Sequence, residues 1–167
     1  MNHDSEAWRQ EKTVRIRRVV TGNDEEGKSY VKWDGDVEKT PGSKRFSNFP
    51  LWATRELPVE LTEDDPNEWE TGVSLGGGSV FRVCRWEPYE AKQWHRTDTI
   101  DYAYVISGEI YMQLDREEVR LKAGDVLIQR ATNHNWVNRG PEPCVVLFVL
   151  ISLKGGRSTG WDLKYVE

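Results

Sequence analysis

Long apolar runs, cysteines and histidines are all scarce in this sequence of 167 residues. No apolar run approaches the roughly 18 residues that a membrane-spanning helix requires, and the polar start MNHDSEAWRQEK lacks the apolar centre of a signal peptide. The only two cysteines, Cys84 and Cys144, do not have the CxxC spacing of redox or zinc sites. These absences exclude membrane and disulfide-rich proteins and predict a soluble protein of the cytoplasm.

An excess of positive charge is also missing. The chain has 23 Lys and Arg residues against 28 Asp and Glu residues, which gives a net charge of -5. A protein that binds nucleic acid usually carries a basic patch or stripe, so nucleic acid is not an expected partner. The chain is long enough to bury a core of its own.

Strand-like alternation of apolar and polar residues is what the sequence has in abundance. No stretch shows a convincing amphipathic helix period, and there is no internal repeat. Turns rich in Gly, Pro and Asp separate the predicted strands, which cover residues 13–20, 29–33, 50–57, 79–86, 100–107, 109–115, 119–122, 125–130 and 144–153. Short strands with this spacing are typical of an all-β barrel or sandwich.

The same pattern predicts four segments along the chain. Residues 1–12 form a flexible charged arm, and residues 13–78 form an N-terminal extension with edge strands and loops. Residues 79–153 form the barrel core, and residues 154–167 form a C-terminal segment. Exposed edge strands invite pairing with a second chain, so we expect a homodimer in which the arm of one subunit covers an edge of the other.

Histidine is so rare that it narrows the search for a reactive site. The chain has three histidines, and His3 lies in the arm, which leaves His95 and His134. Asp101 follows His95 by six residues, at the start of a predicted strand. Two imidazoles and one carboxylate suit a divalent transition metal with open positions for a substrate. The same residues also occur as structural groups of the core or surface, and spacing alone leaves both interpretations open.

These residues fall in two motifs that resemble those of the cupin superfamily, over residues 79–153. The first motif reads HRTDTIDY and is closed by a glycine, and the second ends in QRATNHNWVN. The positions that match the family pattern, with Asp in place of the usual Glu, are His95, Asp101, Gly108, Gly124, His134 and Asn138. The combination is similar to small single-barrel cupins with a long N-terminal extension, and it implies an all-β, cupin-type jelly-roll β-barrel.

The resemblance also implies a site. It assigns His95, Asp101 and His134 as catalytic residues and as the three protein ligands of an Fe, Mn, Ni or Zn ion. Thr97 departs from the pattern because it stands where the family has its second histidine, and a threonine hydroxyl is a poor ligand for these ions. Two cases therefore stay open: a divalent metal site, or metal-free acid–base chemistry by the same groups.

Strand parity and charge indicate further residues that line a pocket for a small-molecule substrate. If Asp101 faces inward, alternate residues of its strand do so too, and Tyr102 and Tyr104 face outward. Arginines pair with a carboxylate or enolate, and aromatic side chains line an apolar cavity. The predicted substrate-binding residues are Arg82, Trp94, Tyr111, Gln113, Arg130 and Trp136.

Three functions follow from the resemblance. The first is a lyase or isomerase that dehydrates, decarboxylates or rearranges a hydroxylated, carbonyl-bearing substrate, as in polyketide and other secondary metabolism. The second is a non-haem Fe(II) dioxygenase, and the third is a module that binds a small ligand without changing it. A shared fold does not choose among them.

Overall fold

The computed structural model describes residues 14–40, 43–69, 71–90 and 92–156, and these residues form strands with a single turn of 3₁₀ helix at Pro66–Glu68. The strands are β1 (Arg17–Asn23), β2 (Ser29–Asp36), β3 (Phe46–Thr54), β4 (Ser79–Trp86), β5 (Tyr89–Glu90), β6 (Thr99–Ser107), β7 (Glu109–Leu114), β8 (Glu118–Lys122), β9 (Val126–Arg130), β10 (His134–Asn138) and β11 (Cys144–Ser152). The predicted arm and most of the predicted C-terminal segment lie outside the described residues. No described helix is long and apolar enough to cross a bilayer.

The chain divides after Val37 into two compact units, and β1 and β2 form an antiparallel hairpin in the first. The turn is held by the carboxylate of Asp24, which accepts hydrogen bonds from the backbone N–H groups of Glu26 and Lys28. This turn places β1 at Arg17–Asn23, a few residues later than the predicted strand 13–20.

The second unit contains two antiparallel sheets. The five-stranded sheet has the order β3-β4-β11-β6-β9, and the four-stranded sheet has the order β5-β10-β7-β8. At the tight turn from β6 to β7, Gly108 has a φ of 75°, and a Cβ there would meet the Pro143 carbonyl oxygen at 2.5 Å. The motif glycine is therefore required by the backbone at this corner. The all-β jelly-roll prediction is confirmed.

The apolar core of this unit lies on the inward faces of both sheets. Ile110 and Met112 of β7 are buried against Val105 of β6 and Val146 and Leu150 of β11. Alternation along β6 confirms the parity prediction, since Asp101 and its inward neighbours are buried while Tyr102 and Tyr104 are exposed.

Apolar side chains on the outer face of β6 and β9 are exposed to solvent. Tyr102 lies opposite Ile128, and Tyr104 lies opposite Val126, and all four side chains are exposed. Exposed apolar patches of this kind are often covered by association with another surface. The homodimer stays a prediction.

Candidate active site

A cavity of about 470 Å³ lies in the second unit and is lined by residues from both sheets. The five-stranded sheet contributes Arg82 of β4 and Asp101 of β6, and the four-stranded sheet contributes His134 and Trp136 of β10. A volume of this size suits a small organic ligand. The cavity brings together the two parts of the sequence that carry the motifs.

His95 and His134 form a pair on one wall of this cavity. Their backbones exchange two N–H···O hydrogen bonds of 2.9 Å each, which fixes one residue opposite the other. The two imidazole rings lie 4.3 Å apart, centroid to centroid. A backbone bridge therefore holds the two histidines side by side.

Each imidazole donates its Nδ1–H to a backbone carbonyl. The Nδ1 of His95 lies 2.9 Å from the Gln93 carbonyl oxygen, and the Nδ1 of His134 lies 2.9 Å from that of Thr132. A carbonyl oxygen only accepts, so the hydrogen of each neutral ring is on Nδ1 and the lone pair is on Nε2. Both rings therefore present an acceptor nitrogen.

The surroundings of the two rings disfavour their charged form. Burial, reinforced by the charge of His95, lowers the pKa of His134 to about 4. Burial also lowers the pKa of His95, and the charge of Arg82 acts in the same direction. Near neutral pH both rings are therefore uncharged hydrogen-bond acceptors and weak bases.

Asp101 has the opposite shift and belongs to a buried chain of hydroxyl groups. Burial raises the pKa of its carboxyl group to about 6, although the Thr99 hydroxyl and the charge of Arg82 oppose this. Thr99 Oγ1 lies 2.5 Å from Asp101 Oδ1 and 2.8 Å from Thr97 Oγ1. The Gln129 amide donates to Thr97 Oγ1 at 3.4 Å, and its nitrogen lies 3.5 Å from His134 Nδ1. A polar chain thus extends from the carboxyl group towards the histidine pair.

An aromatic cluster forms the rest of the cavity wall. Trp86 is at its centre, with ring centroids 5.2 Å from Phe46, 5.8 Å from Trp136 and 6.0 Å from Phe148. Trp136 also contacts His134 edge to face, at 5.6 Å. These separations are typical of attractive aromatic pairs. The cavity therefore has a polar end and an aromatic end.

The structure brings most of the predicted site residues to the cavity. Its lining includes His95, Asp101, His134, Arg82, Trp94 and Trp136. It does not include Tyr111, Gln113 or Arg130. Tyr111 and Gln113 alternate with the buried Ile110 and Met112 and so face away from the cavity, where the Arg139 guanidinium lies 4.9 Å from the Tyr111 ring. Arg130 is exposed at the end of β9.

The motif residue Asn138 holds a turn. Its Nδ2 donates to the carbonyl oxygens of Trp86 and Glu142, and its Oδ1 accepts from the backbone N–H of Gly140. The side chain thereby ties the end of β10 to the end of β4. Its match to the family pattern has a structural reason.

The three predicted metal ligands line the same cavity but come from different elements. Asp101 accepts its hydrogen bond from Thr99 in the five-stranded sheet, while His134 belongs to the four-stranded sheet. Thr97, at the position of a usual ligand, is buried and contacts Thr99 and Gln129. In the described part of the chain, no three His, Cys, Asp or Glu side chains are grouped so that they could hold an ion. The three-residue ligand set stays a prediction.

Several residues that line the cavity or contact its lining were not predicted from the sequence. Thr99 and Gln129 complete the polar chain, and Phe46, Trp86 and Phe148 form the aromatic end. Strand parity is the signal that could have found Thr99, because it lies two residues before Asp101 on the same face. Gln129 stands directly opposite Asp101 in the β6–β9 register, which only the sheet pairing reveals.

Comparisons with known proteins agree on one family. The Cupin domain family profile matches residues 82–150, a range that contains both motifs. The chain is 37% identical to the cupin-domain-containing oxidoreductase fogC of Aspergillus ruber, over 82% of this chain and 72% of that protein. It is 33% identical to the cupin-domain-containing oxidoreductase virC of Hypocrea virens, over 84% and 77%. It is 46% identical to the oryzines biosynthesis cluster protein J of Aspergillus oryzae, over 74% of each.

Proposed function

This chain belongs to the cupin family, and from that premise we propose that it is an isomerase or dehydrating lyase that moves protons on a small hydroxylated carbonyl compound. The substrate is a product of secondary metabolism, in keeping with the biosynthesis cluster named for one relative. The reaction needs acids and bases that change protonation state near neutral pH. The candidate groups for this role are Asp101, His95 and His134.

One observation carries the proposal: a carboxyl group with a pKa of about 6 shares a cavity with two neutral imidazoles. A pKa near the working pH allows Asp101 both to take up and to return a proton. Thr99 has one hydroxyl hydrogen. It donates to Asp101 when the carboxyl group is ionised, and it accepts from Asp101 and donates to Thr97 when the carboxyl group is protonated. The hydroxyl chain thus accommodates both states.

In the proposed reaction, the Asp101 carboxylate removes the proton from the carbon that bears the hydroxyl group, next to the carbonyl. The electron pair of this C–H bond forms the C=C bond of an enediolate, whose negative charge is on oxygen. The Nε2 lone pair of a histidine accepts the hydroxyl proton and passes it to the carbonyl oxygen. Protonated Asp101 then returns its proton to the former carbonyl carbon, which completes an isomerisation. In a substrate with a second hydroxyl group on the other neighbour of the deprotonated carbon, Asp101 instead protonates that group, whose C–O bond breaks so that it departs as water.

The isomerisation balances within the substrate. The hydroxyl-bearing carbon is oxidised to a carbonyl, and the former carbonyl carbon is reduced, so no external electron acceptor takes part. An oxidoreductase that consumes oxygen is the second candidate, because two relatives carry the name oxidoreductase. Consumption of oxygen separates the two candidates.

The first test is exchange of substrate hydrogen with solvent. We expect the protein to catalyse incorporation of deuterium from D₂O into the CH₂ group of 2-hydroxyacetophenone, followed by ¹H NMR. Asp101→Asn removes the proposed base, and we expect it to slow the exchange by about a hundredfold or more. His134→Gln removes one Nε2 acceptor and should also slow it. Asp64→Asn, in an exposed loop, is the matched control and should leave the rate unchanged.

Two results would overturn the proposal. One is exchange at the wild-type rate in Asp101→Asn. The other is oxygen uptake with this substrate that depends on added Fe(II), which would support the oxidoreductase instead. Running the exchange assay with a chelator, and then with Fe, Mn, Ni or Zn salts, tests the metal prediction in the same samples.

A further inference from the structure

Arg82 carries a charge for which the described residues provide no partner. No hydrogen bond or ion pair joins its guanidinium to any of them, and its Nε is enclosed without an acceptor. The neighbouring Arg85 on the opposite face of β4 pairs with Glu87, and Arg120 pairs with Glu109. Arg82 thus differs from these two arginines, and it lines the cavity.

The nearby carboxyl group of Asp101 forms no ion pair with Arg82. Asp101 directs Oδ1 to Thr99 and forms no ion pair with the guanidinium, and its raised pKa shows that burial outweighs the attraction to Arg82. A partly buried cation without an anion is costly, because desolvation is not offset by pairing. A ligand that brings an anionic group to this point removes that cost.

Arg45 is the second arginine of the lining, but its charge already has a contact. Its guanidinium lies 3.8 Å from the centre of the Tyr89 ring, and its side chain is exposed. Exposure to water stabilises that charge, whereas Arg82 is half-buried on the inner face of β4. Arg82 is therefore the better receptor for an anion inside the cavity.

The position of Arg82 places this charge beside the aromatic end. In the sheet register it stands directly opposite Phe148 of β11. Phe148 contacts Trp86 and Trp136, with centroid separations of 6.0 Å and 5.8 Å. A flat ring packed on this cluster would bring a substituent at its edge towards the guanidinium.

We propose that the substrate of this cavity is an aromatic carboxylate, whose carboxylate pairs with Arg82 and whose ring packs on Trp86, Trp136 and Phe148. This inference rests on the proposed function in one respect, because both place the substrate in the same cavity. A guanidinium matches a carboxylate because its N–H groups form a planar fork that binds two oxygens. The reacting hydroxyl and carbonyl groups would then lie towards Asp101 and the histidine pair.

Binding without turnover tests this substrate class. The probes are 2-naphthoate, its neutral amide 2-naphthamide, and the saturated decahydro-2-naphthoate, with affinities measured by calorimetry. We expect 2-naphthoate to bind about tenfold or more tightly than either of the other two, because a charge-assisted hydrogen-bonded pair and ring contacts each contribute this much. Arg82→Gln should abolish the preference for the carboxylate over the amide.

Two variants separate the cavity from the rest of the surface. Arg116→Gln removes an exposed arginine of the β7–β8 turn and should bind 2-naphthoate as the wild type does. Arg45→Gln should retain the preference for the carboxylate. Equal affinity for all three probes, or loss of the preference in Arg45→Gln but not in Arg82→Gln, would overturn the inference.

Thermal unfolding distinguishes a ligand-binding role of Arg82 from a purely structural one. If the charge serves a ligand, Arg82→Met removes an unpaired cation and raises the Tm of the ligand-free protein. A clear fall in Tm together with unchanged probe binding would assign Arg82 to the fold and contradict the inference. Turnover of neutral, aliphatic hydroxyketones alone would contradict this substrate class and leave the proton-transfer proposal intact. Binding of 2-naphthoate without any exchange activity would support this substrate class and contradict the proton-transfer proposal.

Discussion

The two sheets that enclose the cavity present acid–base groups of opposite character. The five-stranded sheet contributes Asp101, and the four-stranded sheet contributes His134, which is backed by His95. Burial is the largest influence on each side chain, yet it raises the pKa of Asp101 to about 6 and lowers that of His134 to about 4. The comparison shows that one physical cause, the loss of water, moves an acid and a base in opposite directions.

Desolvation here favours the neutral form of all three groups. The backbone carbonyls fix the histidines as Nε2 acceptors, and the threonine hydroxyls serve Asp101 in either protonation state. Near pH 7 the two histidines are neutral, whereas Asp101, with a pKa of about 6, is mostly ionised and close to the pH at which it takes up a proton. Arg82 also lines the cavity, and its Nε has no hydrogen-bond partner among the described residues, which is the basis of the proposed anion site.

Of the substitutions that test this difference between the two sheets, His134→Gln is expected to have the largest effect on the pH dependence of stability. Because its pKa is lower in the folded protein than the ordinary 6.5, the stability it contributes is present above about pH 6.5 and is lost as the pH falls towards 4. Over that range the loss is about 3 kcal/mol. In His134→Gln this loss is absent, so its free energy of unfolding, measured in urea, should decline less on acidification. Parallel curves for the two proteins would contradict the shift.

Asp101 is expected to contribute a slightly smaller pH dependence of the free energy of unfolding, with the opposite sign. Its folded pKa of about 6 lies above the ordinary 3.8, so its favourable contribution is present below about pH 3.8 and is lost as the pH rises through 6. The loss amounts to about 3 kcal/mol. Asp101→Asn should therefore gain stability relative to the wild type between about pH 4 and pH 7.5. If Asp101→Asn gains no stability relative to the wild type over that range, then Asp101 is in contact with water and its pKa is not raised.

The two contributions overlap in pH and oppose one another in the wild-type protein. Between about pH 4 and pH 6 they nearly cancel, so the pH dependence of the wild type alone cannot reveal either one. Each has to be measured as a difference between a variant and the wild type. A double variant, His134→Gln with Asp101→Asn, then shows whether the two residues contribute independently to the free energy of unfolding.

Local sequence pattern was sufficient for most strands of the second unit. β4, β6, β7 and β11 lie within one residue of their predicted ranges, because apolar–polar alternation or, in β11, a nearly continuous apolar run is bounded by turn residues. β10 was not predicted as a strand, since all five of its residues are buried and its sequence HNWVN does not alternate in polarity. β3 begins four residues earlier than its predicted start at residue 50, because its pairing with β4 sets its bounds.

The motifs predicted the acid–base residues of the cavity, and charge and aromatic character also predicted Arg82 and Trp94 in its lining. His95, Asp101 and His134 line one cavity, as the resemblance implied. The sequence did not indicate that backbone carbonyls orient the imidazoles, or that Asp101 contacts Thr99 instead of a histidine. The aromatic end joins Phe46 to Phe148 through Trp86, and residues this far apart in the chain meet only through sheet register.

The most direct test of the central claim is a pH titration of the histidine rings by ¹H–¹⁵N NMR. Only His3, His95 and His134 contribute signals, and His95→Gln and His134→Gln assign them. The structure predicts that both cavity rings are neutral near pH 7, with the hydrogen on Nδ1 and a lone pair on Nε2, and that His134 takes up a proton only near pH 4. A His134 ring that is protonated near pH 6.5, or one that carries its hydrogen on Nε2, would contradict the proton-transfer account of this cavity.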